Sequence, residues 1–179
     1  MLVPVELNKN SRLAREARLL YLEAFPKEER LPWPVLRLNA LREGIDITGW
    51  TEAGQLRGIT VSVTEGGLHF LLFFAIVPQC RGKGYGSAIL ETLKQQHGTV
   101  VLNVEPLVPD APNLPQRQRR FGFYNRCGFH DTGYHVWEVG GMFRVLSTQE
   151  SLDVPAYKKI FRKLTLGVWN VKVLPGEKG

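Results

Sequence analysis

The stretch Arg81-Gly82-Lys83-Gly84-Tyr85-Gly86 follows directly on the apolar run 70–77 and leads into residues of helical spacing, Tyr85, Ala88, Ile89, Thr92 and Leu93. A glycine-rich turn between a strand and a helix is built to hold phosphate. Glycines at alternate positions free the backbone to take positive φ and aim successive N–H groups inward, and the helix that follows adds its own N–H groups and the positive end of its dipole. Arg81 and Lys83 supply full positive charge. Two better-known phosphate turns do not fit. A Walker turn needs Gly-Lys followed by Ser or Thr, whereas Lys83 is followed by Gly84, and a Rossmann fingerprint belongs on a first strand.

Working outward, residues 68–77 are apolar on both faces, which places them in the middle of a sheet with helices on both sides. Upstream, residues 45–51 and 56–64 read as antiparallel strands joined across Glu52-Ala53-Gly54-Gln55, and Gly66-Gly67 turns the chain into the long apolar strand. A short strand at 3–7, a helix capped by Ser11 and ended by Pro26, and a second helix at 35–43 closed by Gly44 come first. Downstream, Gly98 stops the third helix and residues 99–104 form the next strand, a strand-helix-strand order that predicts a right-handed parallel crossover. A proline-rich stretch at 106–115 precedes a helix at 116–127 that ends at Gly128. Residues 134–139 and 142–146 read as a hairpin around Gly140-Gly141, residues 156–164 as a basic amphipathic helix, and Trp169, Val171 and Val173 as a final strand. Residues 175–179 are expected to be loose.

The 179 residues, 44% apolar and 22% charged, suit one domain with a single core and no membrane segment. Residues 1–6 do not read as an export leader, so the expected location is cytoplasmic. Cys80 and Cys127 are then expected to be free thiols. The net charge of +6 suits a polyanionic partner, and Arg117, Arg119, Arg120 and Arg126 make the densest basic patch. With no nucleic-acid motif present, a solvated helix face explains most of that patch and a nucleic-acid partner is not expected. His69, His97, His130 and His135 show no metal-ligand spacing, and no metal is predicted.

The whole layout resembles the GCN5-related N-acetyltransferases, the GNAT superfamily, over residues 1–146, with 147–179 as a C-terminal helix and strand packed on the same domain. The family's acyl-CoA turn, Arg or Gln, two residues, Gly, one residue, Gly or Ala, is matched by Arg81, Gly84 and Gly86. A second match is Phe123-Tyr124-Asn125-Arg126-Cys127-Gly128-Phe129. The resemblance implies an α/β fold of about six to seven strands, antiparallel in its N-terminal part, with a parallel pair of the fourth and fifth strands and helices on both faces. It also implies acetyl-CoA as co-substrate and a primary amine as acceptor, attacked in a ternary complex without a covalent intermediate.

Residue by residue, the resemblance implies that the backbone of Phe74, Ala75 and Ile76 pairs with the pantetheine arm and that N–H near Ile76 steadies the oxyanion. The pyrophosphate would rest on Arg81, Gly82, Lys83, Gly84, Tyr85, Gly86 and Ser87. Tyr124 resembles the tyrosine that donates to the departing thiolate. With ordinary values near 10 for Tyr and 8.5 for a thiol, full transfer would be uphill by about 2 kcal/mol, which favours a concerted step or a hydrogen bond to sulfur. Where many members carry Leu-Glu-Val this chain has Leu102-Asn103-Val104, and alternation puts Glu105 on the face of Asn103 as a candidate general base. A base or a water chain is needed because only roughly one lysine-like amine in a few thousand is neutral at pH 7.

The Asn that members often carry seven residues before the Tyr is Arg117 here, and Asn113 lies further upstream. The loops 25–34, with Glu28, Glu29 and Trp33, and 105–115 are expected to shape acceptor choice. Loss of the usual Glu and Asn leaves a second reading, a non-catalytic CoA-binding or regulatory module. The amine's identity is left open, and so is a homodimer.

Overall fold

A computed structural model describes residues 1–7, 11–27, 29–138, 141–168 and 171–176. The strands are β1 (Val3–Glu6), β2 (Ile45–Glu52), β3 (Gln55–Glu65), β4 (Leu68–Ile76), β5 (Val100–Val104), β6 (His130–Glu138), β7 (Gly141–Ser147) and β8 (Lys172–Pro175). The helices are α1 (Arg12–Ala24), α2 (Trp33–Asn39), α3 (Tyr85–His97), α4 (Leu114–Arg126) and α5 (Val154–Leu164). The strands are hydrogen-bonded in the order β1-β2-β3-β4-β5-β7-β6-β8, with β4 and β5 parallel, a mixed α/β fold. The sheet therefore has eight strands where six to seven are expected. By its contacts the chain forms two compact units, Met1–Thr64 with Leu71–Leu93, and Glu65–Phe70 with Lys94–Gly179.

In the first unit, Ser11 caps α1 by accepting from the Ala14 N–H at 3.1 Å, which satisfies one of the helix's orphan donors. Ala14, Ala17, Leu20 and Tyr21 form the buried face of α1 and join Ile47, Ile59, Val61, Phe73 and Ala75 of the sheet in one core. Tyr21 lies 5.0 Å from Phe73 edge-on and 5.5 Å from both Phe25 and Trp33. Such aromatic pairs add about 0.5–1.5 kcal/mol each beyond their burial. The Tyr21 hydroxyl donates to Leu31 O at 3.0 Å, and Arg30 donates to Leu22 O at 2.7 Å and Phe25 O at 3.3 Å. The proline-rich stretch after α1, which has no regular structure to satisfy its backbone, is anchored by those bonds. Trp33 thus belongs to the core, 7% exposed. Glu28 lies outside the described residues.

Helix α2 differs from expectation at both ends, starting at Trp33 with a proline in its first turn and stopping at Asn39. Proline's fixed φ and missing N–H suit a first turn, so Pro34 begins this helix. On α3 the buried positions are Ile89, Leu90 and Leu93, with Ala88 exposed. Strand β3 approaches β4 closely at Gly58. A Cβ there would lie 2.8 Å from Ala75 O and from Ile76 Cδ1, so only glycine fits.

The second unit holds the first three residues of β4, where the His69 N–H donates to Thr99 O at 3.0 Å. Strand β7 pairs antiparallel with β5, Asn103 opposite Val145, and β6 and β8 continue outward from it. Strand β6 begins at His130, four residues before the expected start, because His130 and Asp131 already pair with Ser147 and Leu146 of β7 ahead of a register shift between Asp131 and His135. Gly140, Val139 and Trp169, assigned from sequence to the hairpin and last strand, lie outside the described residues, as do residues 177–179. Asp153 caps α5 by accepting from the Ala156 N–H at 2.9 Å. Tyr157 and Phe161 of α5 pack on Phe70 with ring centroids 5.7 and 5.4 Å away. Lys163 pairs with Glu65 at 2.8 Å.

His69, 2% exposed, stacks on His97 with centroids 3.8 Å apart. Burial, with the neighbouring His97 second, pulls its imidazole from 6.5 down to about 3. The native state therefore keeps it neutral while the unfolded chain takes up a proton below about 6.5. Above that pH neither state is charged and there is no contribution. As pH falls from there toward 3, stability drops by about 1.4 kcal/mol per unit.

Two expectations follow from this architecture. Urea unfolding at pH 7 and pH 5 should show that His69→Gln shrinks the stability loss on acidification by about 2 kcal/mol, and an unchanged loss refutes the assignment. Gly58→Ala should lower the denaturation free energy by about 1–3 kcal/mol, since the added methyl meets backbone that must move. A wild-type unfolding midpoint for that variant would show that β3 has room to give.

Candidate functional site

The residues singled out from sequence divide between the two units, and each group is built within its own. In the first unit, β4 ends with Phe74 and Ile76 half-buried and Ala75 buried. A short 3-10 turn, Pro78–Cys80, carries the chain into an exposed loop of Arg81, Gly82, Lys83 and Gly84. Gly82 has φ 74° and Gly84 φ 83°, the left-handed region that a side chain enters only with strain. A Cβ at either would meet nothing within 4 Å, so conformation and not space requires glycine there. Lys83 lies between the two glycines, and α3 begins at Tyr85, directly after them. The first helical bond runs from the Ala88 N–H to Gly84 O at 3.0 Å, so α3 starts directly behind the turn.

The start of α3 is held by residues that sequence reasoning did not select. The Tyr85 hydroxyl donates to Glu52 Oε2 across 33 residues of chain. Arg57 Nε lies 3.6 Å from the same oxygen, its guanidinium sits over the Tyr85 ring at 5.6 Å, and its NH1 reaches Cys80 Sγ at 3.7 Å. The Tyr85 bond comes first among the causes that hold the Glu52 carboxyl below its ordinary value. Arg81, expected beside phosphate, donates from Nε to Ile76 O at 3.2 Å. Its charge remains exposed beside the loop. No periodicity flags Glu52 or Arg57, because their partners are distant in the chain.

In the second unit Tyr124 is 8% exposed on α4, with Phe123 at 5.3 Å and Phe129 at 5.7 Å from its ring. Burial pushes its hydroxyl up to about 12, slightly opposed by the charge of Arg120. It is a proton holder at any ordinary pH. Glu105, just past the end of β5, accepts from Arg117 at 3.0 Å and Asn113 at 3.3 Å on one oxygen and from Arg120 at 2.9 Å on the other. Arg117 also donates to Asn113 Oδ1 at 2.7 Å and to Pro106 O at 2.9 Å. The long loop before α4 is thus clamped onto that helix by one carboxylate and two arginines, and this clamp accounts for part of the basic patch.

Asn103 and Glu105 do not serve a common partner, because β5 ends at Val104 and strand alternation ends with it. Asn103 instead donates from Nδ2 to Glu138 Oε1 at 2.8 Å and accepts from the Tyr157 hydroxyl at 2.9 Å. An ionised carboxylate can only accept, so the amide orientation is determined by its neighbours. Burial raises the Glu138 carboxyl above its usual value, with the Asn103 bond opposing. Burial and the Glu138 charge together raise the Tyr157 hydroxyl well above its own. The sequence reading selected neither Glu138 nor Tyr157. They lie 35 and 54 residues from Asn103, and nothing local signals the meeting.

Cys80 is a buried free thiol and Cys127 a half-buried one. Among the described residues no group of His, Cys, Asp and Glu is arranged to hold a metal ion, and no helix is long and apolar enough to cross a membrane.

Residues 46–131, just under half of the chain, match the family model described as an acetyltransferase (GNAT) domain. No curated protein sequence matches the chain. Among solved structures, a putative GNAT-family acetyltransferase from Bacteroides thetaiotaomicron superposes with a TM-score of 0.68 at 22% identity, covering 94% of this chain and 99% of that one. The ribosomal-protein-S18-alanine N-acetyltransferase from Escherichia coli does so with a TM-score of 0.59 at 17% identity, covering 85% and 96%. An aminoglycoside 6'-N-acetyltransferase complexed with coenzyme A gives 0.56 at 13% identity, covering 81% and 95%. At these identities the superpositions establish the shared fold. The domain match extends from β2 to the start of β6 and takes in both the Gly82/Gly84 turn and Tyr124, so over those residues the chain is similar to the GNAT acetyltransferase domain, whose fold it shares.

Proposed function

We propose that this protein transfers the acetyl group of acetyl-CoA to a primary amine by direct attack in a ternary complex. The observation that carries the reading is the Arg81 to Gly86 turn, in which two glycines of positive φ flank Lys83 at the start of α3. That arrangement suits the pyrophosphate of CoA, with N–H groups from Gly82 to Ser87 and the charges of Arg81 and Lys83 as its ligands. The backbone of Phe74, Ala75 and Ile76 would run beside the pantetheine arm, and N–H near Ile76 would receive the oxyanion. Residues 1–146 would be the transferase proper. The C-terminal part, 147–179, adds Tyr157 to the Asn103 network.

In the reaction the amine's lone pair attacks the thioester carbonyl carbon, the C–S bond breaks and CoA leaves as thiolate. Tyr124 is the proposed donor to that sulfur. With its hydroxyl near 12, complete transfer to a thiolate whose acid is near 8.5 would be uphill by about 5 kcal/mol. A hydrogen bond that stabilises developing thiolate charge is therefore its role, and the thiolate takes its final proton from solvent. Glu105 is the base candidate carried by sequence position. Its oxygens already accept from Arg117, Arg120 and Asn113, and taking up a proton would dismantle the loop clamp.

The second reading, a CoA-binding module without catalysis, is favoured by the same occupied Glu105 and by Asn103 at the usual place of the glutamate. Thiol release from acetyl-CoA across a panel of amines, run beside direct acetyl-CoA binding, separates the two. Turnover of at least one amine is expected, and binding with no turnover would install the module reading. Tyr124→Phe should lower kcat by about 10²-fold with acetyl-CoA affinity retained, and a wild-type kcat would remove the tyrosine from the mechanism. Gly84→Ala should weaken acetyl-CoA binding by about tenfold, because positive φ at a non-glycine residue costs about 1–2 kcal/mol. Binding as tight as wild type would show that the turn does not hold the donor.

A further inference from the structure

The acetyl-transfer reading requires a group that takes a proton from the amine, and neither residue at the expected place is suited to it. The side chain at that place on β5 is Asn103, an amide with no basic lone pair at neutral pH. Glu105, the nearest carboxylate in sequence, is held by two guanidiniums. The Asn103 side chain nevertheless ends on a carboxylate, that of Glu138 from β6, at 2.8 Å. We propose that Glu138 is the general base of this protein, a carboxylate delivered from β6 to the place that β5 leaves to an amide. The inference rests on the acetyl-transfer reading.

Three features of the second unit support the assignment. Asn103 is gripped from both ends, by Glu138 on its Nδ2 and by the Tyr157 hydroxyl on its Oδ1, so it works as a fixed bracket that orients one oxygen of the carboxylate. Only Oε1 is engaged by that bracket. Glu138 is half-buried, neither stranded in the core nor freely hydrated. Moreover, no arginine or lysine pairs with it among the described residues, in contrast to Glu105.

The charged and titratable surroundings are limited. Strand β5 brings the neutral Asn103, β7 brings Gly141 opposite Glu138, β8 brings Lys172 opposite the adjacent Trp137, and α5 brings Tyr157, whose hydroxyl stays protonated as it donates to Asn103. Burial without a cationic partner moves the carboxyl toward the range where a base is both ionised at neutral pH and able to accept a proton. The proton balance is simple. The carboxylate of Glu138 takes one proton from the acceptor's ammonium group, becomes the neutral acid and passes that proton to water; the freed amine attacks, and the nitrogen of the adduct gives up its second proton to solvent as the C–S bond breaks, while the departing thiolate takes one up from solvent.

The test compares wild type with Glu138→Gln and Glu138→Asp. Gln keeps an oxygen that can accept from Asn103, so the bracket and the fold are retained while the base is lost. With an amine that the wild type acetylates, kcat/KM is measured across pH, and acetyl-CoA affinity is measured separately by calorimetry. The expected result is a fall of about 10²-fold for Glu138→Gln with loss of the acidic limb, a partial return of rate and limb in Glu138→Asp, and acetyl-CoA affinity within about twofold of wild type. An unaltered acidic limb in Glu138→Gln, or a rate loss that follows a matching loss of acetyl-CoA affinity, overturns the assignment. A wild type that binds acetyl-CoA and acetylates nothing removes the transferase reading, and the base assignment falls with it.

Discussion

Strand β4 has no solvent-facing side. Of its nine residues, six are buried and the remaining three half-buried, including a histidine that burial keeps uncharged. A strand in that condition must be covered wherever it runs, and the chain on either side is arranged to do so. Phe73 and Ala75 enter the core that α1 closes with Tyr21, and Phe70 receives Tyr157 and Phe161 of α5. With about 25 cal/mol gained per Å² of apolar surface removed from water, these large side chains are a major part of what holds each unit together. The glycine-rich loop that follows this buried strand is exposed from Arg81 to Gly84.

Charge is distributed by the same economy of position. The arginines of α4 read from sequence mostly as a solvated helix face. Arg117 and Arg120 are instead directed at Glu105, and with Asn113 they bind a proline-rich loop that has almost no backbone ladder of its own. Arg144 pairs with Asp131 and lies over Phe121 at 5.4 Å. Arg81 and Lys83, by contrast, are exposed beside Gly82 and Gly84. Net charge thus says little about a partner until the internal pairs have been subtracted.

Much of the fold was legible because its signals are local. Ser11 and Asp153 cap helices where the side chain meets an N–H three residues on, and Gly82 and Gly84 mark positive φ. Helix α2 was misjudged at both ends because Pro34 reads equally as a breaker and as a first-turn residue. The start of β6 differs from expectation because His130 to Gly133 carry no strand pattern, and the pairing of His130 and Asp131 with β7 is non-local. The motif around Tyr124 was visible as a short string of aromatics and glycine. Its raised hydroxyl was not, since that depends on burial among Phe123, Phe129 and the helix it sits on.

The sequence by itself determined the element order and the glycine-rich turn after β4, because each is written in residues a few positions apart and governed by backbone sterics, capping and periodicity. It also showed that the customary glutamate is absent from β5. Only the tertiary structure decided what stands in its place and what the remaining carboxylates do. Glu105 is committed to two arginines on α4, and Glu138 is brought to Asn103 across 35 residues and held there with Tyr157 from α5. Such meetings are set by how strands register and helices pack, and the energy of a hydrogen bond between distant residues leaves no trace in the spacing of either.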